Sequence, residues 1–107
     1  MTRIFYDEAN FCLQMTGHSM YAQRGEDLVC AALSVLMFTL EEAVGDHKEV
    51  LLPTISHMDG GIRIQCSPKD KHKRTCRTIF RTIYTGCELM AGRFPEYVQT
   101  SREQEGM

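Results

Sequence analysis

An almost unbroken apolar run from Leu28 to Val44 constrains this chain more than any other feature. It is too long for a strand and is built from helix formers (Ala31, Ala32, Leu33, Leu36, Met37, Leu40, Ala43), so it reads as a helix. Asp27 is placed to cap its amino end and Gly45 its carboxyl end, while Glu41 and Glu42 sit at the end of the dipole that disfavours anions. Apolar on nearly all sides, this helix is expected to be mostly buried. A chain of 107 residues has room for one such core, so a single domain over residues 1–107 is expected.

The rest of the chain must cover that helix. Residues 3–7 (RIFYD) and 11–16 (FCLQMT) are short β-prone runs around Glu8-Ala9-Asn10 and read as a hairpin. From Glu49, VLLPTIS, the turn signal Asp59-Gly60-Gly61 and the alternation Ile62, Ile64, Cys66 give a second hairpin, with Pro53 pointing to an edge or a bulge. Cys76, Ile79, Phe80, Ile83, Tyr84, Cys87 and Met90 then recur at helical spacing, predicting a second helix over 70–91 that Gly92 and Pro95 end. EYVQTS reads as a last short strand. The order is ββαββα(β), an α+β layer fold with two helices packed on a largely antiparallel sheet.

Composition supports a folded chain: 43% hydrophobic and 24% charged residues with a net charge of -2 are far from the disordered range. No stretch has about 18 uninterrupted apolar residues, and MTRIFYDEAN lacks the basic-then-apolar pattern of a signal peptide, so a cytoplasmic location without membrane association is expected. Five cysteines (Cys12, Cys30, Cys66, Cys76, Cys87), an odd set without a CxxC pair, are expected to be reduced.

Of these, Cys30 alone has a local setting that suggests reactivity. With Asp27 as cap it would lie in the first helical turn, where free backbone N–H groups and the positive dipole end favour a thiolate. The acidic pair Glu26 and Asp27 opposes this. His18, where the second strand runs into a polar loop, is twelve positions earlier, and that loop permits an imidazole–thiol contact without requiring one.

The stretch from Gly17-His18 through Gly25-Glu26-Asp27-Leu28-Val29-Cys30-Ala31-Ala32-Leu33-Ser34 closely resembles the signature of the ribosomal-processing cysteine protease family (Prp, also called the YsxB-like proteins). The resemblance covers the histidine, its interval to the cysteine, Gly25, Asp27 and the C-A-A-x-S segment, and the element order agrees along nearly the whole chain. It implies that Cys30 attacks a peptide carbonyl, that His18 shuttles the proton, and that Asp27 and Ser34 support the site. It also implies a bacterial homodimer whose substrate is the precursor of large-subunit ribosomal protein twenty-seven, cut just after an aromatic pair in its amino-terminal extension. No cofactor or metal is implied. The chain departs from the family at Ser19-Met20, where alanine and a small or acidic residue are usual.

Blander readings compete at each residue. A helix cap explains Asp27 without chemistry, helix packing explains Ser34, and Cys12, Cys66, Cys76 and Cys87 read as core. The intervals joining His57, Cys66, His72 and Cys76 match no common zinc pattern. Lys69, Lys71, Lys73, Arg74, Arg77 and Arg81 read as a solvated helix face, so no obligatory nucleic acid is expected. Their clustering nevertheless motivates the competing reading, a non-enzymatic ribosome-associated RNA- or protein-binding factor. A thiol-redox protein is disfavoured because no resolving cysteine neighbours Cys30.

Overall fold

The computed structural model describes residues 1–17 and 24–103, with side chains of the first helix described from Asp27 onward. Five strands form one sheet in the order β3-β4-β2-β1-β5. The strands are β1 (Thr2–Asp7), β2 (Cys12–Thr16), β3 (Pro53–Met58), β4 (Gly61–Cys66) and β5 (Val98–Glu103). Helix α1 (Arg24–Gly45), a single helical turn α2 (Lys48–Leu51) and α3 (Lys73–Arg93) lie between them. All pairings are antiparallel except that of β1 with β5, which is parallel and sets Thr2 opposite Val98. The α+β layer expected from the sequence is therefore the observed fold.

Period-two alternation decides which face of the sheet is covered. Thr2, Ile4 and Tyr6 of β1 and Ile62, Ile64 and Cys66 of β4 are buried, whereas Phe5 on the other face of β1 is 39% exposed. Against the inner face α1 lays Val29, Leu33, Met37, Leu40 and Val44, and α3 lays Cys76, Phe80, Ile83, Tyr84 and Cys87. Tyr6 joins the layers, its ring stacked on Phe80 at 6.3 Å and tilted against Tyr84 at 5.2 Å. Gly86 lets the helices approach closely, since a Cβ there would come within 3.0 Å of Leu36.

Several expectations are corrected. Helix α1 begins at Arg24, so Asp27 is its fourth residue and not its cap. Gly45 is the last helical residue and is absent from the left-handed region that a C-terminal glycine cap requires. Only one stripe of α1 is buried: Leu28 is 74% and Val35 62% exposed, because the sheet can cover one side of a helix only. Asp27–Gly45 has the length and mean hydropathy of a membrane span, 1.8, yet its inner face belongs to this core.

The run after Glu49 does not start as a strand. Val50 and Leu51 complete α2, Leu52 turns left-handed at φ 48, and the strand begins at Pro53 on the outer edge of the sheet. Tertiary hydrogen bonds outweigh β propensity there: Ser67 N–H donates to Leu51 O at 3.1 Å, and Lys69 N–H to Val50 O at 3.0 Å. The second helix starts at Lys73 after a 3-10 turn over Asp70–His72, and Gly92 lies inside it.

Candidate active site

Strand β1 enters the sheet beneath the start of α1, and the site grows from that crossing. Thr2 is fully buried on the inner face, where its Oγ1 lies 3.3 Å from Cys30 Sγ. That distance is a hydrogen bond in which either the hydroxyl or the thiol donates. Thr2 is held at both sides: its N–H donates to Tyr97 O at 2.9 Å, and Gly17 packs against it at the end of β2. Gly17 has φ +86, and a Cβ on it would strike the Met1 carbonyl oxygen. The last described residue before His18 thus adjoins the residue that touches Cys30. His18 and Ser19-Met20 lie outside the described residues.

Cys30 is the seventh residue of α1, counting Arg24 as the first, and 2% exposed. The macrodipole acts mainly within the first turn, so the favourable helix-start setting expected for this sulfur is not the observed one. In a regular helix its own N–H bonds the carbonyl four residues back and is no free oxyanion donor. The sequence reading missed Thr2, which lies 28 positions from Cys30 and carries no local signal beyond the inward register it shares with Ile4 and Tyr6.

Asp27 is exposed one turn before Cys30, and Ser34 is half-buried one turn after it. Residues three and four apart share a helix face, so Asp27, Cys30 and Ser34 form one stripe. Ser34 lines a recess of about 220 Å³ with Met15, Phe38, His57, Met58 and Gly61. His57 Nε2 lies 3.2 Å from Glu41 Oε1. On the other side, Leu28, Val29 and Ala32 line a recess of about 420 Å³ with Met90, Phe94 and Tyr97, apolar enough to hold an aliphatic or aromatic side chain.

The other four thiols are buried. Burial pushes Cys87 up to about 12, with Glu88 adding to it, and burial also raises Cys12. Cys66 is raised by its hydrogen bond with Cys76 and by burial. Cys12, Cys66 and Cys87 are thereby held as thiols, poor nucleophiles, whereas the hydrogen bond from the Cys66 thiol and the Arg77 charge lower Cys76 against its burial. Among the described residues no three His, Cys, Asp or Glu side chains gather as a metal site.

The basic start of α3 is partly engaged within the fold. Arg81 pairs with Glu8, Lys73 lies 3.1 Å from Asp70, and the Arg77 guanidinium sits 5.5 Å from the Phe11 ring centre. Glu8, 2% exposed, also accepts a 3.0 Å hydrogen bond from Arg102. Burial would raise its carboxyl, but the hydrogen bonds and charges of Arg102 and Arg81 outweigh that and hold it below the usual carboxylate value.

Comparison with known proteins identifies the family and the fold. The family model described as cysteine protease Prp matches residues 2–99. Among solved structures, the chain is similar to an essential ribosomal processing protease Prp from S. aureus in complex with a covalently linked product peptide. That match has a TM-score of 0.77 at 20% identity, covering 96% of this chain and 100% of that one. The same protease in complex with a substrate peptide matches with a TM-score of 0.75 at 19% identity, over 95% and 97% of the two chains. SMU.848 from Streptococcus mutans matches with a TM-score of 0.70 at 22% identity, over 94% and 90%. No curated relative matches by sequence. A family match over nearly the full length, on a fold shared with solved members, identifies this chain as a cysteine protease belonging to the Prp family.

Proposed function

We propose that this enzyme is a ribosomal-processing protease that removes the amino-terminal extension of large-subunit ribosomal protein twenty-seven, with Cys30 as nucleophile and His18 as general base and acid. The observation that carries the reading is the chain of contacts Gly17, Thr2, Cys30, which brings the departure point toward His18 to the sulfur. The similar S. aureus protease, solved with substrate and with covalently linked product peptides, supports a peptide substrate. The apolar recess beside Val29 suits the aromatic residues before the proposed cut.

In the reaction, the Cys30 thiol passes its proton to the His18 imidazole and the sulfur adds to the scissile carbonyl carbon. The tetrahedral intermediate collapses, the C–N bond breaks, and the imidazolium returns its proton to the leaving amine. Water, deprotonated by His18, then attacks the thioester, releasing the acid and restoring the thiol. Asp27 and Ser34, on the Cys30 stripe, are assigned supporting contacts to the substrate. The enzyme works as a single domain, in the bacterial cytoplasm and as a homodimer, without an obligatory nucleic acid. Exposed Leu28, Val35, Phe38 and Leu89 offer an apolar surface for the second copy.

The test is mass spectrometry of the ribosomal precursor after incubation with wild type, Cys30→Ala and His18→Ala. Wild type shortens the precursor after the aromatic pair and both variants leave it intact. Cutting by Cys30→Ala at the wild-type rate refutes the assignment.

A further inference from the structure

Because Cys30 lies beyond the first turn of α1, the helix end contributes little to a thiolate there, and a hydrogen-bond donor at the sulfur would add to what the proposed base His18 supplies. We propose that the Thr2 hydroxyl is that donor: a positioning residue that donates its proton to the Cys30 thiolate and holds the sulfur for attack. This rests on the reading of Cys30 as nucleophile.

Three features of Thr2 fit the role. Its Oγ1 is already 3.3 Å from Sγ in a buried contact, so no rearrangement precedes the hydrogen bond. Its backbone is fixed between β2 and β5 and bonded to Tyr97 O, and a β-branched side chain has few rotamers, so the hydroxyl is aimed rigidly. Full burial excludes competing water and strengthens a bond to a charged acceptor. In the neutral pair the thiol can donate to the hydroxyl oxygen. Once the thiol proton has gone to His18, only the hydroxyl can donate, and the bond stabilises the anion. On acylation the sulfur becomes a neutral thioester and a weaker acceptor, so the bond favours the attacking form over the acylated one.

The test follows iodoacetamide alkylation of Cys30 against pH, read on the Cys30 peptide by mass spectrometry, in wild type, Thr2→Val and Thr2→Ser. Valine has the shape of threonine without the hydroxyl, and serine keeps the hydroxyl. Among the described residues the titratable groups on this side are Asp27 on α1, the Met1 amino group beside Thr2, and Glu96 and Tyr97 ahead of β5; these, and the proposed base His18, are common to the three proteins. The midpoint of the labelling profile is expected about one pH unit higher in Thr2→Val, with labelling about tenfold slower below it and an equal plateau above it. Thr2→Ser is expected to restore the wild-type midpoint, which a packing role alone would not do. Thr2→Ala supplies a second hydroxyl-free variant should valine not be accommodated. Coincident midpoints in an active protease overturn this inference alone. A wild-type enzyme that cuts its substrate while Cys30 stays unlabelled at every pH overturns the nucleophile assignment as well.

Discussion

The α-carbon of Gly17 lies so close to the carbonyl oxygen of Met1 that no side chain fits between them, and the φ of +86 at Gly17 independently favours glycine. This contact fixes the end of β2 against the start of β1, and both the Thr2 hydroxyl and the departure of the chain toward His18 depend on it.

Gly17→Ala is therefore expected to cost about 1–2 kcal/mol of stability from backbone strain, with more from the displaced Met1 carbonyl. Protease activity should fall further than stability does, by tenfold or more under conditions where the fold is intact, because small misplacements of reacting groups are costly. Urea unfolding beside peptide cleavage measures the two effects separately.

Glu8 joins the hairpin turn to α3 and β5 through Arg81 and Arg102. Its folded carboxyl is held below the ordinary carboxylate range by the two guanidinium groups, so the stability it confers is present above the unfolded value and is lost as pH falls through the folded one. Glu8→Gln is expected to lower stability near neutrality by on the order of 2 kcal/mol and to flatten the acid side of the profile. Urea midpoints of both proteins between about pH 2 and 7 check it, the two curves converging at the acid end.

The parts legible in the sequence were those written in local periodicity. The inward set of α3 follows from the three- and four-residue spacing of Cys76, Phe80, Ile83, Tyr84 and Cys87, and the β4 register from Ile62, Ile64 and Cys66. The parts that were not legible depend on distant partners. Glu8 looked like a turn residue, yet its charge is matched by Arg102, 94 positions away. Val50 and Leu51 looked like strand until the carbonyls of this segment were claimed by Ser67 and Lys69. At the site, the Cys30 signature was readable as a resemblance, but the start of α1 at Arg24 was not, because the apolar pattern begins only at Leu28. Thr2 was hidden for the same reason as Glu8.

All five thiols are buried, but they are not equally placed to react. Cys30 is the thiol assigned to react through His18, whereas burial raises Cys12, Cys66 and Cys87 and the Cys66 thiol occupies the Cys76 sulfur. Iodoacetamide under native conditions is expected to label Cys30 at least tenfold faster than any other cysteine, as peptide mapping over time would show. Equal rates for all five would point to global unfolding as the route.

The outer faces of α1 and α3 expose Val35 (62%) and Leu89 (63%), which line one shallow recess with Ala32, Leu36, Gly86 and Met90. Val35→Glu combined with Leu89→Glu is expected to convert a dimer into a monomer in sedimentation equilibrium, leaving the circular dichroism unchanged. A wild-type protein monomeric at high micromolar concentration would contradict the homodimer.

The most direct measurement is peptide mapping of the enzyme after reaction with a peptidyl chloromethyl ketone ending in phenylalanine, whose chloride is displaced by the attacking sulfur. A single adduct on Cys30 that abolishes cleavage of the ribosomal precursor is expected, and no adduct in Cys30→Ala. An adduct on another residue, or full cleavage by enzyme completely modified at Cys30, would contradict it.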